Sequence, residues 1–567
     1  MRTLWRIVVG LFATIGLVLV LLVAGAAAGG WWLAQRWERH VAVMPPSMVL
    51  EVDLRGSLDD TPPDGLASLG LDNALGLSDV VLALDRAAAD PRVKGIVARV
   101  DDSSHGLAAA QELRAAVKRL RAGGRFAVAF ADSFGELGSG NEGYYLATAF
   151  ERIRLQPVGL VGLTGLMAEV PFAKSLLDSI GVDAAFERRK EFKTAFDSAT
   201  EYGLTPANRE MLTQLVGSLS AQLVAGIAEG RGLEEARVRA LIDQGPFTAE
   251  EAVAAGLVDD LAHWDEVRAD LRRDGALVEL DDYAETLGPP AGGVPVAFVR
   301  ANGAIARGDG LVGRIGAEEL AEALGDAIDD RRIRAILMRI DSPGGSAVAS
   351  ETIARQVRRA TAAGKPVIVA MGNAAASGGY WIAMDATKIV AEPGTLTGSI
   401  GVIAGKPVLA GLWEKLGVTW EALPAAANAD MWSFNRPYSA VGKARLDRLL
   451  DDIYASFKSG VAEGRKLPPE KVEEIARGRV WAGSDALGIG LVDELGGLFE
   501  ASQATRVALG LAADAPLDLR PFPRPRTPWE RALQVLRSDR GMLGQAAALA
   551  AALSEPGAAR MPLLRLH

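Results

Sequence analysis

The stretch Ala-Ala-Ser-Gly-Gly-Tyr-Trp at residues 375–381 is followed by Pro-Gly-Thr-Leu-Thr-Gly-Ser-Ile-Gly at residues 393–401. Both segments have earlier counterparts in the same chain. Residues 140–147 read Gly-Asn-Glu-Gly-Tyr-Tyr-Leu-Ala, and residues 157–165 read Pro-Val-Gly-Leu-Val-Gly-Leu-Thr-Gly. The aligned tyrosines and the aligned prolines are both separated by 236 residues. Matches at one constant spacing indicate an internal duplication, so the fold contains two copies of one unit.

The duplication extends to the ends of both copies. Ala-Glu-Gly-Arg precedes Gly-Leu-Val-Asp by 28 residues at 228–231 and again at 462–465. We therefore predict one repeat over residues 46–275 and a second over 294–520, joined by a linker rich in proline and glycine at 287–293. Short apolar runs alternate with helical patterns in each copy, which predicts βαβ units and an α/β fold.

The N-terminus contains a long uncharged segment. Residues 7–33 are almost wholly apolar, and a helix that spans a bilayer needs about 20 such residues. Arg2 and Arg6 precede the segment, which favours a cytoplasmic N-terminus. Because the apolar run continues past the small residues at 24–26, we expect a retained transmembrane anchor rather than a cleaved signal peptide. Residues 521–567 are read as a proline-rich connector and a tail without an assigned function.

Composition excludes several kinds of chemistry. The net charge of −10 gives no general argument for nucleic-acid binding. The chain has no cysteine, which excludes disulfides and thiolate catalysis. Its four histidines show no spacing typical of metal ligands, so we expect no metal site and no cofactor.

Two glycine-containing turns of the second copy are suited to catalysis. Ser377 follows a predicted strand and opens a predicted helix, where unpaired N–H groups stabilise negative charge. Asp-Ser-Pro-Gly-Gly-Ser at 341–346 exposes backbone amides that suit an oxyanion hole. Taken singly, a helix cap and an ordinary turn explain both stretches. However, the first copy has Asn141 in place of the serine and lacks the glycine pair at 101–106, so it has lost both features together.

A serine nucleophile requires a base. No histidine occurs in the second copy before the terminal His567, and His105 and His263 lack an obvious acidic partner. Lysine is the alternative base in Ser–Lys dyads. Such a lysine must lose its proton, so its pKa must fall from about 10.4 toward neutrality, through burial and nearby cations.

At this point the sequence resembles a known family, the long-form (tandem-repeat) bacterial signal peptide peptidases, or protease IV. The resemblance extends from the anchor to about residue 520. It is carried by Arg-Ile-Asp-Ser-Pro-Gly-Gly-Ser at 339–346, by residues 375–381 and by Thr-Leu-Thr-Gly-Ser-Ile-Gly at 395–401. It implies an α/β fold of two tandem Clp-protease/crotonase-like repeats (ββα units), preceded by one N-terminal transmembrane helix.

The resemblance also implies roles for particular residues. Ser377 becomes the nucleophile, and Lys193 of the first copy becomes the general base. The second copy has Ala429 at the position of that lysine, so each copy retains what the other lacks. Ser399 is expected to orient the lysine amine. The oxyanion-hole candidates are Gly344, Gly345 and Gly378. Lys190 is a rival base, because the residues around Lys193 depart from the family pattern.

The implied activity is that of a membrane-anchored serine endopeptidase that degrades cleaved signal peptides and other unfolded peptides. The implied location is the bacterial inner membrane, with a single span and a periplasmic soluble part. Fold relatives form rings, so we expect a homo-oligomer, specifically a tetramer. Two other classes stay open, because one fold supports several chemistries: a crotonase-type acyl-CoA enzyme and a catalytically inactive membrane scaffold.

Overall fold

A computed structural model describes residues 44–566, apart from residues 57, 59, 61–74, 103–104, 311–312, 525–557 and 561–564. The predicted anchor at 7–33 and most of the predicted tail lie outside the described residues. Helices and strands are numbered separately in chain order.

The first half contains ten strands and ten helices among the described residues. The strands are β1 Met48–Asp53, β2 Val93–Arg99, β3 Phe126–Ala131, β4 Arg152–Leu155, β5 Leu160–Val161, β6 Ala168–Glu169, β7 Asp183–Arg189, β8 Phe247–Thr248, β9 Asp260–Leu261 and β10 Ala276–Glu279. The helices are α1 Leu77–Ala89, α2 Leu107–Ala122, α3 Asn141–Ala147, α4 Lys174–Ile180, α5 Asp197–Thr200, α6 Pro206–Arg231, α7 Glu235–Ile242, α8 Ala249–Ala254, α9 Trp264–Leu271 and α10 Leu280–Glu285.

The second half follows the same succession. Its strands are β11 Val294–Asn302, β12 Ala304–Ala306, β13 Arg314–Gly316, β14 Ala335–Ser342, β15 Gly344–Ser346, β16 Val367–Ala376, β17 Lys388–Ala391, β18 Leu396–Gly398, β19 Val402–Val408, β20 Val480–Ala482, β21 Glu494–Leu495 and β22 Leu517–Phe522. Its helices are α11 Ala317–Asp329, α12 Ala347–Ala362, α13 Gly378–Ala383, α14 Ala410–Lys415, α15 Ala440–Arg465, α16 Pro469–Ile475, α17 Gly483–Gly488 and α18 Leu498–Ala508. Two short strands belong to the tail, β23 Ala558–Arg560 and β24 Arg565–Leu566.

The two halves have the same sheet topology. The first sheet has the strand order β10-β1-β2-β3-β4-β9, and all its pairs are parallel. In the second sheet, the parallel path β22-β11-β14-β16-β17-β21 repeats that order. The antiparallel pair of β5 with β8 recurs as β18 with β20. The predicted α/β fold with two repeats is therefore confirmed.

The central strands form because their sequences are continuous apolar runs. In β14, residues 335–340 are all buried, as expected for a parallel strand covered on both faces. The adjoining helix α12 begins at its N-cap Ser346, whose hydroxyl accepts the N–H of Ala349. The next strand, β16, ends at Ala376, directly before Ser377.

The two halves share one large apolar cluster, and the second half has a further cluster of its own. Buried residues of α2, such as Leu113 and Val117, belong to the same apolar cluster as Leu337 and Ile368 of the second sheet. Across this contact, the buried Arg339 of β14 donates to the carboxylate of Glu112 on α2 at 2.6 Å. Apolar burial and a buried ion pair therefore fix the first half against the second.

Helix α6 of the first half is long and apolar. Among the described residues, α6 is the one helix long and apolar enough to cross a membrane, judged by length and composition. Half of its most apolar window is buried, and its Leu215, Leu219 and Leu223 contribute to the core. It is a core helix of the first half and is distinct from the anchor predicted at 7–33.

A two-stranded ribbon crosses between the halves. Strand β7 of the first half pairs antiparallel with β19 of the second, from Asp183 opposite Val408 to Arg189 opposite Val402. Strand β7 leads into the turn that contains Lys193, and β19 follows directly after Ser399 and Gly401. This pairing brings a segment of the first half to the carboxyl end of the second sheet.

Candidate active site

Ser377 lies at the junction of β16 and α13 and is fully buried. Its backbone has φ 56°, in the left-handed region that residues with a Cβ seldom adopt. Its N–H donates to Gly398 O at 2.8 Å, and its carbonyl accepts the N–H of Trp381. The side chain makes no helix-capping hydrogen bond. The hydroxyl is therefore available for another role, and the interpretation of Ser377 as a simple helix cap is wrong.

Lys193 reaches Ser377 within one chain. It lies in the turn between β7 and α5 and is fully buried. Its Nζ lies 2.7 Å from Ser377 Oγ, 2.8 Å from Ser399 O and 3.0 Å from Ser399 Oγ. The structure therefore brings together the three side chains that sequence analysis singled out.

These three contacts suit both protonation states of the amine. A neutral amine has two N–H donors, which the Ser399 carbonyl and hydroxyl oxygens accept, and one lone pair directed to the Ser377 hydroxyl. A protonated amine donates to all three oxygens. The proton of Ser377 can therefore pass to Nζ without rearrangement of the heavy atoms.

Burial makes the neutral amine accessible near neutral pH. Transfer out of water disfavours the charged form and lowers the pKa of Lys193 to about 7. We also predicted that nearby cations would help to lower the pKa of Lys193. That prediction is wrong, because burial alone lowers it. The neighbouring basic residues are paired instead: Arg188 with Asp197, and Arg189 with Asp447 and Asp451.

Lys190, the rival base, lies elsewhere. Its side chain is half-exposed and its Nζ pairs with Glu473 at 3.1 Å. It is therefore engaged in a surface ion pair, whereas Lys193 has no carboxylate partner among the described residues and faces Ser377.

The oxyanion-hole candidates lie beside Ser377, although their amides differ. A Cβ added at Gly378 would lie 3.0 Å from Gly345 N, so the Gly345 amide nitrogen lies next to Gly378. Gly378 opens α13, and the first amide of a helix has no acceptor within the helix. The Gly344 amide donates to Ser342 Oγ at 3.2 Å, so it already has an acceptor.

The corresponding place in the first half is closed. Asn141 stands where Ser377 stands in the second copy, and it is buried. Its Oδ1 accepts the N–H groups of Thr164 and Gly165, and its Nδ2 donates to Ser139 Oγ and Gly165 O. With its amide fully occupied, this position lacks both a nucleophile and a base.

Sequence reasoning did not identify two features next to Lys193. The loop of Arg477, Gly478 and Arg479 contacts the backbone of the lysine turn. Asp197 is buried beside that turn, and burial raises the pKa of its carboxyl to about 6 despite its pairing with Arg188. In this part of the chain the repeats align at an offset of 234 residues, as residues 228–231 and 462–465 show, so Gln244 occupies the position of Gly478 in the first copy. The sequence therefore marks Gly478 as specific to the second copy, but it does not link Gly478 to Lys193.

Among the residues that the structure describes, no group of three or more histidine, cysteine, aspartate or glutamate side chains could hold a metal ion. The site itself is built from hydroxyl, amine and backbone groups.

Comparison with known proteins gives a consistent result. The family model described as peptidase family S49 matches residues 135–278 and 359–512. The chain is 31% identical to the chloroplastic serine protease SPPA of Arabidopsis thaliana over 511 residues, which cover 87% of this chain and 73% of the relative. It is 30% identical to Protease 4 of Salmonella typhi, covering 88% of this chain and 85% of the relative. Protease 4 of Haemophilus influenzae is 31% identical, with 75% and 71% covered.

Proposed function

The chain belongs to peptidase family S49 and is a serine peptidase, and from that premise we propose that Ser377 is its nucleophile and Lys193 its general base. The observation that supports this assignment is the 2.7 Å separation of Lys193 Nζ and Ser377 Oγ, both of which are fully buried. Ser399 orients the amine by accepting its N–H groups.

The proposed reaction proceeds through an acyl-enzyme. Ser377 Oγ attacks the carbonyl carbon of a peptide bond while its proton passes to Lys193 Nζ. The amides of Gly345 and Gly378, with Gly344 nearby, stabilise the oxyanion; one such donor is worth about 3 kcal/mol. The protonated amine then gives its proton to the leaving nitrogen. Finally, the neutral amine takes a proton from a water molecule whose oxygen attacks the acyl carbon. The bond from that carbon to Ser377 Oγ breaks, the amine returns the proton to Oγ, and the new C-terminal acid leaves.

The proposed substrates are extended apolar peptides, specifically cleaved signal peptides and other unfolded chains. An extended peptide binds by adding a strand to an open sheet edge. The edge of β15 accepts such a strand: residues 558–560 of the tail pair antiparallel with it, placing Arg560 opposite Gly344 and Ala559 opposite Gly345. A substrate on this edge would present its backbone to the oxyanion-hole amides and to Ser377.

We further propose a membrane-anchored arrangement for the enzyme. The uncharged segment 7–33, preceded by Arg2 and Arg6, would span the bacterial inner membrane once and leave the soluble part in the periplasm. The corresponding domain assignment is an anchor, a repeat over 46–275 that supplies the base, a repeat over 294–520 that supplies the nucleophile, and a connector and tail.

Copies of the chain are proposed to assemble into a ring, with a tetramer as the expected size. Within one chain, β7 of the first repeat pairs with β19 of the second. Applying the 236-residue offset, the same pairing would join residues 419–425 of one copy to residues 166–172 of the next. A contact between two different surfaces generates a ring when the rotation closes.

Exposure of the corresponding side chains supports this assembly. Trp420 and Leu423 are 52% and 100% exposed, and Met167 on the opposite segment is 54% exposed. Large apolar side chains on adjacent exposed segments mark an interaction surface. In the single chain, the edge at β6 is occupied by β24 of the tail, which competes for the same backbone groups.

The dyad is tested by measuring hydrolysis of an unfolded apolar peptide by Ser377→Ala and Lys193→Ala, with Lys190→Ala as the matched control. We expect both dyad variants to lose at least about 10³-fold in kcat, whereas the control stays within about threefold because its side chain lies at the surface. Wild-type rates in either dyad variant would overturn the assignment.

The two alternative classes predict different results. A crotonase-type enzyme would act on an acyl-CoA and would not be labelled at Ser377 by a fluorophosphonate. A scaffold would hydrolyse no peptide. Membership of a peptidase family and the dyad geometry both favour the protease.

A further inference from the structure

Three backbone segments converge behind the reactive amine. They are the turn at 189–193, which contains Lys193, the turn at 399–401, which contains Ser399, and the loop at 477–479, between α16 and β20. The first comes from the first repeat and the other two from the second. The geometry of the dyad therefore depends on how closely these three segments pack.

The loop at 477–479 is hydrogen-bonded to both turns. Arg477 O accepts the N–H groups of Lys190 and Phe192, at 3.2 Å and 3.1 Å. On the other side, Gly478 N–H donates to Ile400 O at 2.8 Å, and Arg479 O accepts the N–H of Ser399 at 2.7 Å. One tripeptide thus fixes the base-bearing turn and the orienting serine relative to each other.

Gly478 allows these segments to touch. Its φ is +85°, and a Cβ there would lie 2.5 Å from Lys193 N, 2.6 Å from Lys193 Cβ and 2.7 Å from Lys193 Cα. These are rigid parts of Lys193, so they cannot swing aside as the end of a flexible side chain would. On the other side, a Cβ at Gly401 would lie 2.9 Å from Gly478 Cα and 2.4 Å from Arg189 O.

Backbone strain is concentrated at the same place. Among the described residues, four non-glycine residues have positive φ: Ser377, Ser399, Arg477 and Lys466. The first three belong to the site or to this loop. Such conformations cost of order 1–3 kcal/mol each and persist only where the surrounding structure holds them. The loop is therefore held in its conformation together with the two serines.

We propose that Gly478 is a positioning residue of the peptidase: its missing side chain lets Lys193 sit against the loop at 477–479, and this contact sets the amine onto Ser377 Oγ and seals it from water. The inference rests on the proposed Ser377–Lys193 dyad. A side chain at 478 would move the lysine backbone away from the second repeat, lengthen the Nζ–Oγ contact and admit water around the amine.

Two consequences follow for Gly478→Ala. A displacement of about 1 Å at a reacting group can lower the rate by about 10²-fold. Because burial alone lowers the pKa of Lys193, water at the amine would raise that pKa and shift the acidic limb of the pH–rate profile upward. A variant that was merely less stable would contain fewer active molecules, but its profile would keep the wild-type midpoint.

The experiment measures kcat/KM against pH for the full chain in detergent, with active sites counted by fluorophosphonate labelling. Gly364→Ala is the matched control, since Gly364 has a similar φ of +75° and nothing within 4 Å of an added Cβ. For Gly478→Ala we expect a loss of about 10²-fold per active site at pH 7 and a midpoint at least about one pH unit higher. The control should keep the wild-type midpoint.

Gly401→Ala would press on Gly478 and on the lysine turn from the opposite side. We expect it to cause the same loss of rate and the same higher midpoint, so it tests the positioning role if Gly478→Ala does not fold. An unchanged midpoint in either folded variant overturns the positioning role. Failure of the dyad itself would be recognised separately, because Ser377→Ala and Lys193→Ala would then retain activity.

Discussion

Within the part of the chain that the structure describes, Lys193 is buried without a carboxylate partner, and its amine contacts hydroxyl and carbonyl oxygens. Burial therefore determines both how the site reacts and how the protein responds to pH. Ser399 supplies the two acceptors that a neutral amine needs, so the amine is oriented without being held in its charged form. A carboxylate in that position would have favoured protonation and weakened the base.

The first prediction concerns the rate. A general base acts only when unprotonated, and the pKa of Lys193 is lowered to about 7. We expect kcat/KM to rise tenfold per pH unit below pH 7, to reach half of its maximum near pH 7 and to level off above it. Rates of a peptide substrate from pH 5 to 9 measure this. A half-maximum near pH 10 would mean that the amine is solvated in solution.

The second prediction concerns stability. From pH 7 to about pH 10 the unfolded lysine binds a proton and the native lysine does not, so stability rises with pH through this group. The slope is about 1.4 kcal/mol per pH unit, and it vanishes below pH 7. We expect Lys193→Met to lack this increase, so that the stability of wild type rises relative to that of the variant between pH 7 and 9. Melting temperatures of both proteins at several pH values measure this. Melting temperatures that change in parallel with pH would contradict the expectation.

The residues of the site differ in how far the sequence alone predicts their roles. Ser377 follows from a strand, a serine and two glycines at one point of a repeat, and its loss in the first copy strengthens the inference. Lys193 was reached through family resemblance, because its neighbours Arg188, Arg189 and Lys190 suggest a solvated segment. Gly478 was not found, since its role depends on a contact with a residue 285 positions earlier in the chain.

At the scale of helices and strands, the site depends on contacts between repeats. The ribbon of β7 and β19 carries the lysine turn across, and α2 packs on the second sheet. Alternating apolar runs predicted the strands and helices of each repeat, and the constant offset predicted their equivalence. The cross-repeat ribbon could not be predicted this way, because periodicity describes each element alone and does not indicate its partner.

The third prediction tests the ionic contact between α2 and the second sheet. Arg339 and Glu112 are both buried, and the Glu112 carboxylate also accepts the N–H of Leu498 at 2.6 Å. Removing one partner of a buried ion pair costs about 3–5 kcal/mol, because a charge is left without its counterion. We expect this loss of unfolding free energy in Arg339→Met. Chemical denaturation followed by circular dichroism measures it.

A double variant provides the control for that experiment. Arg339→Met would leave two carboxylates without this counterion, Glu112 at 2.6 Å and Asp60 at 3.7 Å. Glu112→Gln keeps an oxygen for the Leu498 N–H but removes the nearer of these two charges. We expect the double variant to be more stable than Arg339→Met alone by at least about 1 kcal/mol. Additive losses would show that the two side chains do not act as a pair.

At the scale of the whole molecule, the two repeats contribute different residues to one site. The second repeat contributes Ser377 and the first contributes Lys193, while Asn141 occupies the position of Ser377 in the first repeat. The proposed dyad therefore needs both repeats. Among the described residues, segments 166–172 and 419–425 of one chain do not pair with each other as their counterparts β19 and β7 do.

The fourth prediction is that these segments meet between copies. Because β19 pairs with β7 so that Ala404 faces Glu187, the offset places Ala168 of one copy opposite Leu423 of the next. Facing Cα atoms in an antiparallel pair are about 4.5–5.5 Å apart, which is within the range that a disulfide spans. The chain has no cysteine of its own, so Ala168→Cys combined with Leu423→Cys should cross-link copies after mild oxidation and give a ladder of species on a non-reducing gel.

The controls for this experiment separate a ring from the alternatives. Val158→Cys combined with Leu423→Cys places the first thiol at an exposed position off the edge and should give no ladder. In contrast, Ala168→Cys with Leu566→Cys reports whether the tail holds the β6 edge, since these positions face each other in the antiparallel pair of β24 with β6. The tail and a neighbouring copy would need the same backbone groups of β6. A cross-link between positions 168 and 566, with no ladder from the variant at 168 and 423, would therefore mean that the tail covers this edge.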